Sequence, residues 1–338
     1  MNELLNVSAA PHIKSKETTR SIMFDVSIAL IPAGVFGVYN FGLKALIIIL
    51  ISIGTCVGVE YIYQKKMGKK STISDYSAVV TGLLIAYNLP STVPFWIPII
   101  GGVFAMIFVK HLFGGVGQNF MNPALAARCF LLISFSRIMT NFSVEGSNKF
   151  ISILKNGYAS IKGYGMIDGT SSATMLEMVK KGGDFNLFDM FIGTTAGTIG
   201  ETSAIAILIG GSYLLFKKVI SPKIPLTYIS SFIGFLILLN IISGKSISIE
   251  YIIGNLLGGG LLLGAFFMAT DYVTSPITPK GKILFGVLLG FITAILRVFG
   301  NSAEGVSYAI IFANVLVPLI EKITLPKAFG REVVVNGK

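Results

Sequence analysis

Long apolar runs alternate with short, lysine-bearing polar connections along almost the whole chain. The runs fall near 21–40, 43–63, 77–91, 95–112, 122–138, 188–216, 225–242, 251–270, 283–299 and 306–321. Most approach the ~20 residues that an α-helix needs to cross a hydrocarbon core. The pattern predicts an all-α polytopic membrane protein with about ten transmembrane helices. The third run is short and ends in Asn88-Leu89-Pro90, where a broken or re-entrant helix is expected. The sixth is long and rich in glycine, and a break is expected there too. The chain divides into an N-terminal segment (1–20), a first transmembrane half (21–138), a long loop (139–187), a second half (188–321) and a tail (322–338).

Composition strengthens this picture. Of the 338 residues, 53% are hydrophobic and only 13% charged, about half the charge of a soluble domain. The net charge of +11 does not point to nucleic acid, because the lysines and arginines sit in the connections between spans. One alternating set of loops carries Lys14, Lys16, Arg20, Lys65, Lys66, Lys69, Lys70, Lys110, Lys217, Lys218, Lys223, Lys280 and Lys282, plus the basic tail. The short loops of the other set carry only Lys44 and Lys245. Basic loops face the cytoplasm, and long loops count little in that rule. Both termini are therefore expected inside and the loop 139–187 outside. Residues 1–20 are polar and show no cleavable-signal pattern. Cys56 and Cys129 lie in apolar runs and read as packing residues, since two thiols complete neither a metal site nor a disulfide framework.

Five spans on each side of the long loop would make duplicated halves inverted with respect to one another. Two echoes are compatible with two inverted five-helix repeats containing broken helices. Asp75-Tyr-Ser-Ala resembles Glu201-Thr-Ser-Ala, and both open apolar runs. Gly101-Gly102 precedes a polar segment ending Asn122-Pro123, as Gly259-Gly260 precedes one ending Ser275-Pro276.

Several polar groups lie where they are costly. The segment His111 to Pro123 is rich in glycine and amides and includes Asn119 and Asn122. Irregular backbone at membrane depth is tolerated only inside protein or beside a polar cavity. Arg128, Glu201, Asp271 and Arg297 lie in or at the ends of spans, where an ionised group costs about 2.5–3.5 kcal/mol on insertion scales. Asn119, Asn122, Arg128, Glu201 and Asp271 are candidates for an ion pathway or for cofactor contacts. Each also has an ordinary reading: Arg128 could pair with a carboxylate, and Asp271 could cap a helix end. No metal constellation, nucleophile–base pair or nucleotide fingerprint accompanies them, and His111 reads as an interfacial residue.

The long loop holds the most unusual stretch, Asp168-Gly169-Thr170-Ser171-Ser172-Ala173-Thr174. Thr174 begins Thr-Met-Leu-Glu, a capping-box spacing in which Glu177 bonds back to the cap. A helix start with free N–H groups also suits a phosphate. Structure and chemistry both fit these residues.

Across nearly its whole length the chain resembles the family of D subunits of the Rnf ion-translocating electron-transport complex. A cousin is the B subunit of the sodium-translocating NADH:quinone reductase. The likeness rests on Ala10-Pro11-His12, Asp75-Tyr-Ser-Ala-Val-Val-Thr-Gly-Leu-Leu and Phe113-Gly-Gly-Val-Gly-Gln-Asn-Phe-Met-Asn-Pro-Ala. It continues in Gly200-Glu-Thr-Ser-Ala and Gly264-Ala-Phe-Phe-Met-Ala-Thr-Asp-Tyr-Val-Thr-Ser-Pro. Length and the lack of an N-terminal extension favour the Rnf member. The resemblance implies FMN joined by a phosphoester to Thr174, within a motif formed by Asp168, Ser171, Ser172, Ala173 and Thr174. Ser172 departs from the glycine usual at that place.

It also implies a flavin transferase that attaches the FMN, partner subunits of the complex, and a second, noncovalent flavin such as riboflavin. The implied role is electron relay in a ferredoxin:NAD oxidoreductase that exports Na⁺ or H⁺ across a bacterial or archaeal cell membrane, with no activity of this subunit in isolation. The alternatives are the quinone-reducing cousin and a urea-channel-like transporter without flavin.

Overall fold

The computed structural model describes residues 17–142, 175–181, 183, 185–244, 247–300 and 305–326. Asp168, Ser171, Ser172, Ala173 and Thr174 lie outside the described residues. Among the described residues every regular element is helical. The first half contains α1 (Thr19–Phe41), α2 (Leu43–Lys66), α3 (Ser77–Tyr87), α4 (Trp96–His111) and α5 (Pro123–Ser134). Then come two short helices, α6 (Met175–Lys181) and α7 (Leu187–Ile192). The second half holds α8 (Ala204–Phe216), α9 (Lys223–Ile242), α10 (Ile249–Leu257), α11 (Leu261–Met268), α12 (Pro279–Phe299) and α13 (Val306–Thr324). Five helices are long and apolar enough to cross a membrane, or six if the bent pair α10–α11 counts as one; α3, α4, α5 and α8 are shorter apolar helices. An all-α polytopic membrane protein is what the apolar pattern predicted.

The expected breaks are present. α3 stops at Tyr87, and the chain turns at Asn88 so that residues 87–90 lie against residues 198–200. The Gly200 N–H donates to Tyr87 O and the Ile199 N–H to Leu89 O, both at 3.0 Å, with an isolated bridge between Pro90 and Thr198. Backbone groups freed by one break are thus satisfied by the other, as an apolar surrounding demands. The sixth apolar run is split into α7 and α8 by residues 193–203, and the Ser203 hydroxyl caps the new helix at Ala206 N. α10 and α11 meet at 56°. That bend turns on Gly259 and Gly260, at φ +66° and +65°, a region in which Cβ is costly.

The Gly101-Gly102 and Gly259-Gly260 echo has a structural counterpart. Each precedes a π-helical stretch, Ala105–His111 and Gly264–Met268, followed by an irregular connection to a helix that starts at proline. Single π turns collect at functional sites.

The most extensive helix pairing is between α9 and α12. Gly286 and Gly290, four residues apart, present bare backbone to Thr227 and Ser231 of α9. A methyl group at either would collide with those hydroxyls. Close backbone approach through small residues is how helices associate without a hydrophobic driving force. The Ser231 hydroxyl donates to Gly286 O at 3.1 Å, and Tyr228 and Thr293 share a hydrogen bond of 2.8 Å. Gly290→Leu should therefore lower stability by about 1–3 kcal/mol, read as a fall in thermal midpoint in detergent; Leu at the exposed position Val287 should leave the midpoint unchanged.

Candidate functional site

The five polar candidates of the spans sort into different places. Asn119, Asn122 and Asp271 line one cleft, together with Ser77 and Lys110, between α1, α3, the 112–123 connection and α11. Its volume is about 780 Å³ including its mouth, within the usual range of small-molecule sites. Asn122 is the hinge of this wall. Its side-chain oxygen caps α5 by accepting from Ala124 N and Leu125 N at 3.0 and 3.3 Å. Its amide donates to Met268 O in the opposite half at 3.3 Å. Asn314 of α13 accepts from the Asn122 N–H at 3.2 Å and donates to Thr274 O at 3.1 Å. The buried Oδ1 of Asn119 has no protein partner among the described residues. Asp271 follows the π turn of α11 and accepts from the Thr274 hydroxyl at 3.1 Å. Desolvation pushes its carboxyl above its ordinary value, while that hydroxyl and the N–H groups of Val273 and Tyr272 pull the other way.

Arg128 stands on α5 and donates to the side-chain oxygen of Asn88. Asn88 in turn donates to Leu84 O at 2.6 Å and lies 3.8 Å from the Met268 sulfur. Arg128, Asn88, Asn122, Met268 and Asn314 thus form one polar seam joining the two halves at the π turn of α11. Among the described residues, the amide of Asn88 is one partner of Arg128.

A buried charge pair did not emerge from the sequence. Lys110, at the end of α4, contacts Glu60 of α2 at 3.0 Å and the Ser77 hydroxyl at 2.8 Å. Gln64 and the Thr72 hydroxyl also donate to Glu60, at 3.2 and 2.9 Å. Two ionised groups in different apolar runs were the available signal. His111, expected at the interface, is buried, with its ring stacked 4.5 Å from that of Tyr63.

Glu201 belongs to a second place. It lines a crevice of about 300 Å³ with Thr195, Thr202, Gly258, Gly259 and Met175. Its Oε2 is buried without a partner among the described residues, as is the Thr198 hydroxyl. Arg297 binds the backbone of two residues that line this crevice. It donates to the carbonyls of Gly258 and Gly259 at 3.0 and 3.1 Å and to that of Asn255, and its guanidinium lies over the ring of Phe232. It thereby satisfies the carbonyls that the α10–α11 bend leaves open.

α6 is seated beside the same crevice. Met175 and Val179 pack with Met190, Tyr251 and Leu257, and Leu176 packs over Gly258 and Gly259. The residue immediately after Thr174 is therefore buried against α10 and next to Glu201.

Comparison with known proteins resolves what kind of chain this is. The sequence profile of the NQR2, RnfD, RnfE family matches residues 6–330. The chain belongs to that family. A relative from Acetobacterium woodii is 43% identical over 336 residues, covering 98% of this chain and 97% of its own. It is described as the D subunit of a Na⁺-translocating ferredoxin:NAD⁺ oxidoreductase complex. A relative from Clostridium ljungdahlii is 38% identical, covering 97% of this chain and 96% of its own, and is described as the D subunit of the proton-translocating counterpart. The D subunit of an ion-translocating oxidoreductase complex from Actinobacillus succinogenes is 35% identical, covering 97% of this chain and 98% of its own. These relatives are subunits of redox complexes. Both the cleft and the crevice thus lie in a member of the NQR2, RnfD, RnfE family, as the resemblance implied.

Proposed function

We propose that this chain is the D-type membrane subunit of an ion-translocating ferredoxin:NAD⁺ oxidoreductase complex and relays electrons through FMN esterified to Thr174. Three observations support the reading. Relatives at 43% and 38% identity over nearly the full length carry that description. The motif Asp168, Ser171, Ser172, Ala173, Thr174 is intact but for Ser172. The chain just after Thr174 is anchored beside a polar crevice lined by Glu201, whose buried Oε2 has no partner among the described residues. The last observation carries the most weight, because it gives a tethered group a fixed neighbourhood with a polar atom left to bind.

Bound FMN supplies the redox chemistry, while the protein sets its place and electrostatics. The lysine-poor short loops favour an outer position for the crevice and a cytoplasmic one for the 780 Å³ cleft. That cleft suits a second, noncovalent flavin such as riboflavin: the Asn119 carbonyl oxygen is an acceptor awaiting an N–H, and the apolar walls of Val80, Leu84 and Phe267 match an aromatic ring system. The two relatives are named for different ions, so Na⁺ and H⁺ are both compatible with this chain.

The test is a denaturing gel of the complex isolated from its native membrane. A fluorescent band at this subunit is expected, and it requires coexpression of a flavin transferase when the chain is made elsewhere. A dark band from the native complex would contradict the covalent-flavin reading and leave family membership intact.

A further inference from the structure

Residues 215–224, spanning the end of α8 and the start of α9, and residues 270–282, spanning the connection after α11 and the start of α12, enclose a cleft of about 1080 Å³ including its mouth. Its polar lining is Lys218, Lys282, Ser221, Ser275, Thr270 and Tyr272. The Tyr272 hydroxyl donates to Val219 O and ties the two walls together.

Lys218 and Lys282 give the lining of the cleft its cationic character. Among the described residues no carboxylate oxygen lies within 4.0 Å of Lys218 or Lys282. Asp25 is held by Tyr213 and Lys217, and Asp271 by Thr274; Glu321 accepts from the Ile277 N–H at the edge of the cleft, and Glu17 lies within electrostatic reach of Tyr272. Lys223, at the start of α9, adds charge beside the lining residues Pro222 and Ile224.

Lys218 is also one of two non-glycine residues among those described with positive φ, at +57°. It occupies the position after a helix end that glycine normally fills, so a long cationic side chain stands where backbone preference asks for none. Strained residues of this kind concentrate at binding sites.

The borders of the cleft are apolar and open. Phe216, Leu226 and Ile277 are 87%, 66% and 80% exposed, each at a helix end or connection beside the lysines. A cationic, hydroxyl-bearing cleft next to uncovered apolar helix ends fits a ligand with a phosphate and acyl chains. Basic pockets between transmembrane helices bind such headgroups.

We propose that this cleft binds the headgroup of an anionic phospholipid, with Lys218 and Lys282 contacting the phosphate and the Ser221 and Ser275 hydroxyls donating to it. The acyl chains lie along the exposed apolar ends of α8 and α9. The site shares no residue with Thr174 or with the Glu201 crevice, and it adjoins the 780 Å³ cleft through Ile220, Thr270 and Tyr272.

The test is native mass spectrometry of the delipidated, full-length chain in its complex, titrated with phosphatidylglycerol or phosphatidylcholine. Phosphatidylglycerol should be retained in preference to phosphatidylcholine. Lys218→Gln with Lys282→Gln should weaken its retention about 30-fold, whereas the double arginine variant should keep it. Lys280→Gln, outside the cleft lining, should behave as wild type. Because Lys218→Gln keeps a side chain at positive φ, a matched thermal midpoint checks its folding, and Lys218→Gly with Lys282→Gln repeats the test without that strain. Equal retention of the two lipids, or undiminished retention by the glutamine and glycine variants, would overturn the proposal. Complete displacement by millimolar inorganic phosphate would overturn it in favour of a free-anion site.

Discussion

Thr174→Ala is expected to remove all covalent flavin from this subunit and to reduce ferredoxin-dependent NAD⁺ reduction by the complex to background. The threonine hydroxyl oxygen is the only atom of the motif that the proposed ester uses, so its loss is all-or-none. Folding should be spared. α6 is held by Met175, Leu176 and Val179, and loss of a threonine cap costs about 1 kcal/mol. The discriminating readout is therefore threefold: in-gel fluorescence absent, complex assembly intact by size-exclusion chromatography, and thermal midpoint within a few degrees of wild type. Ser172→Gly, which restores the residue usual at that position, should leave fluorescence intact. Fluorescence surviving in Thr174→Ala would move the attachment to another residue.

Lys110→Met is expected to destabilise the chain more than Gly290→Leu or Thr174→Ala. Lys110 and Glu60 are 2% and 0% exposed, and their 3.0 Å contact compensates two desolvated charges at once. Removing one partner of a buried pair costs about 3–5 kcal/mol, because the other charge stays buried alone. Replacing both with neutral groups costs much less. Glu60→Gln/Lys110→Met should therefore recover most of the thermal midpoint lost in the single variant. Gln64 and Thr72, which also donate to Glu60, would leave a glutamine there partly satisfied. A double variant as unstable as Lys110→Met would show that the lysine stem, through packing, matters more than its charge.

The threonine motif and the buried pair differ sharply in how visible they are in the sequence, and the same contrast runs through the fold. The helical segments were legible because apolar runs of membrane length have few other uses. The breaks after Tyr87 and within 188–216 were legible because Asn88-Leu89-Pro90 and the glycines cannot continue a lipid-facing helix. What the breaks do for each other was not legible. That Leu89 and Tyr87 accept from Ile199 and Gly200 depends on the packing of segments about a hundred residues apart.

The same limit governs the sites. Asn119, Asn122 and Asp271 stood out one by one as polar groups in costly places. Their shared cleft arises only when α11 packs against the 112–123 connection. Lys110 read only as one of the basic loop residues, and the fold pairs it with Glu60. Arg297 was visible as an intramembrane charge, but its partners are backbone carbonyls, which no sequence pattern announces.

Attachment of FMN to Thr174 is tested most directly by the mass of the peptide spanning Asp168 to Lys180, released from the native complex. The peptide should carry the mass of FMN less one water, and fragmentation should place the addition on Thr174. An unmodified peptide, or an addition on Thr170, Ser171 or Ser172, would contradict that attachment.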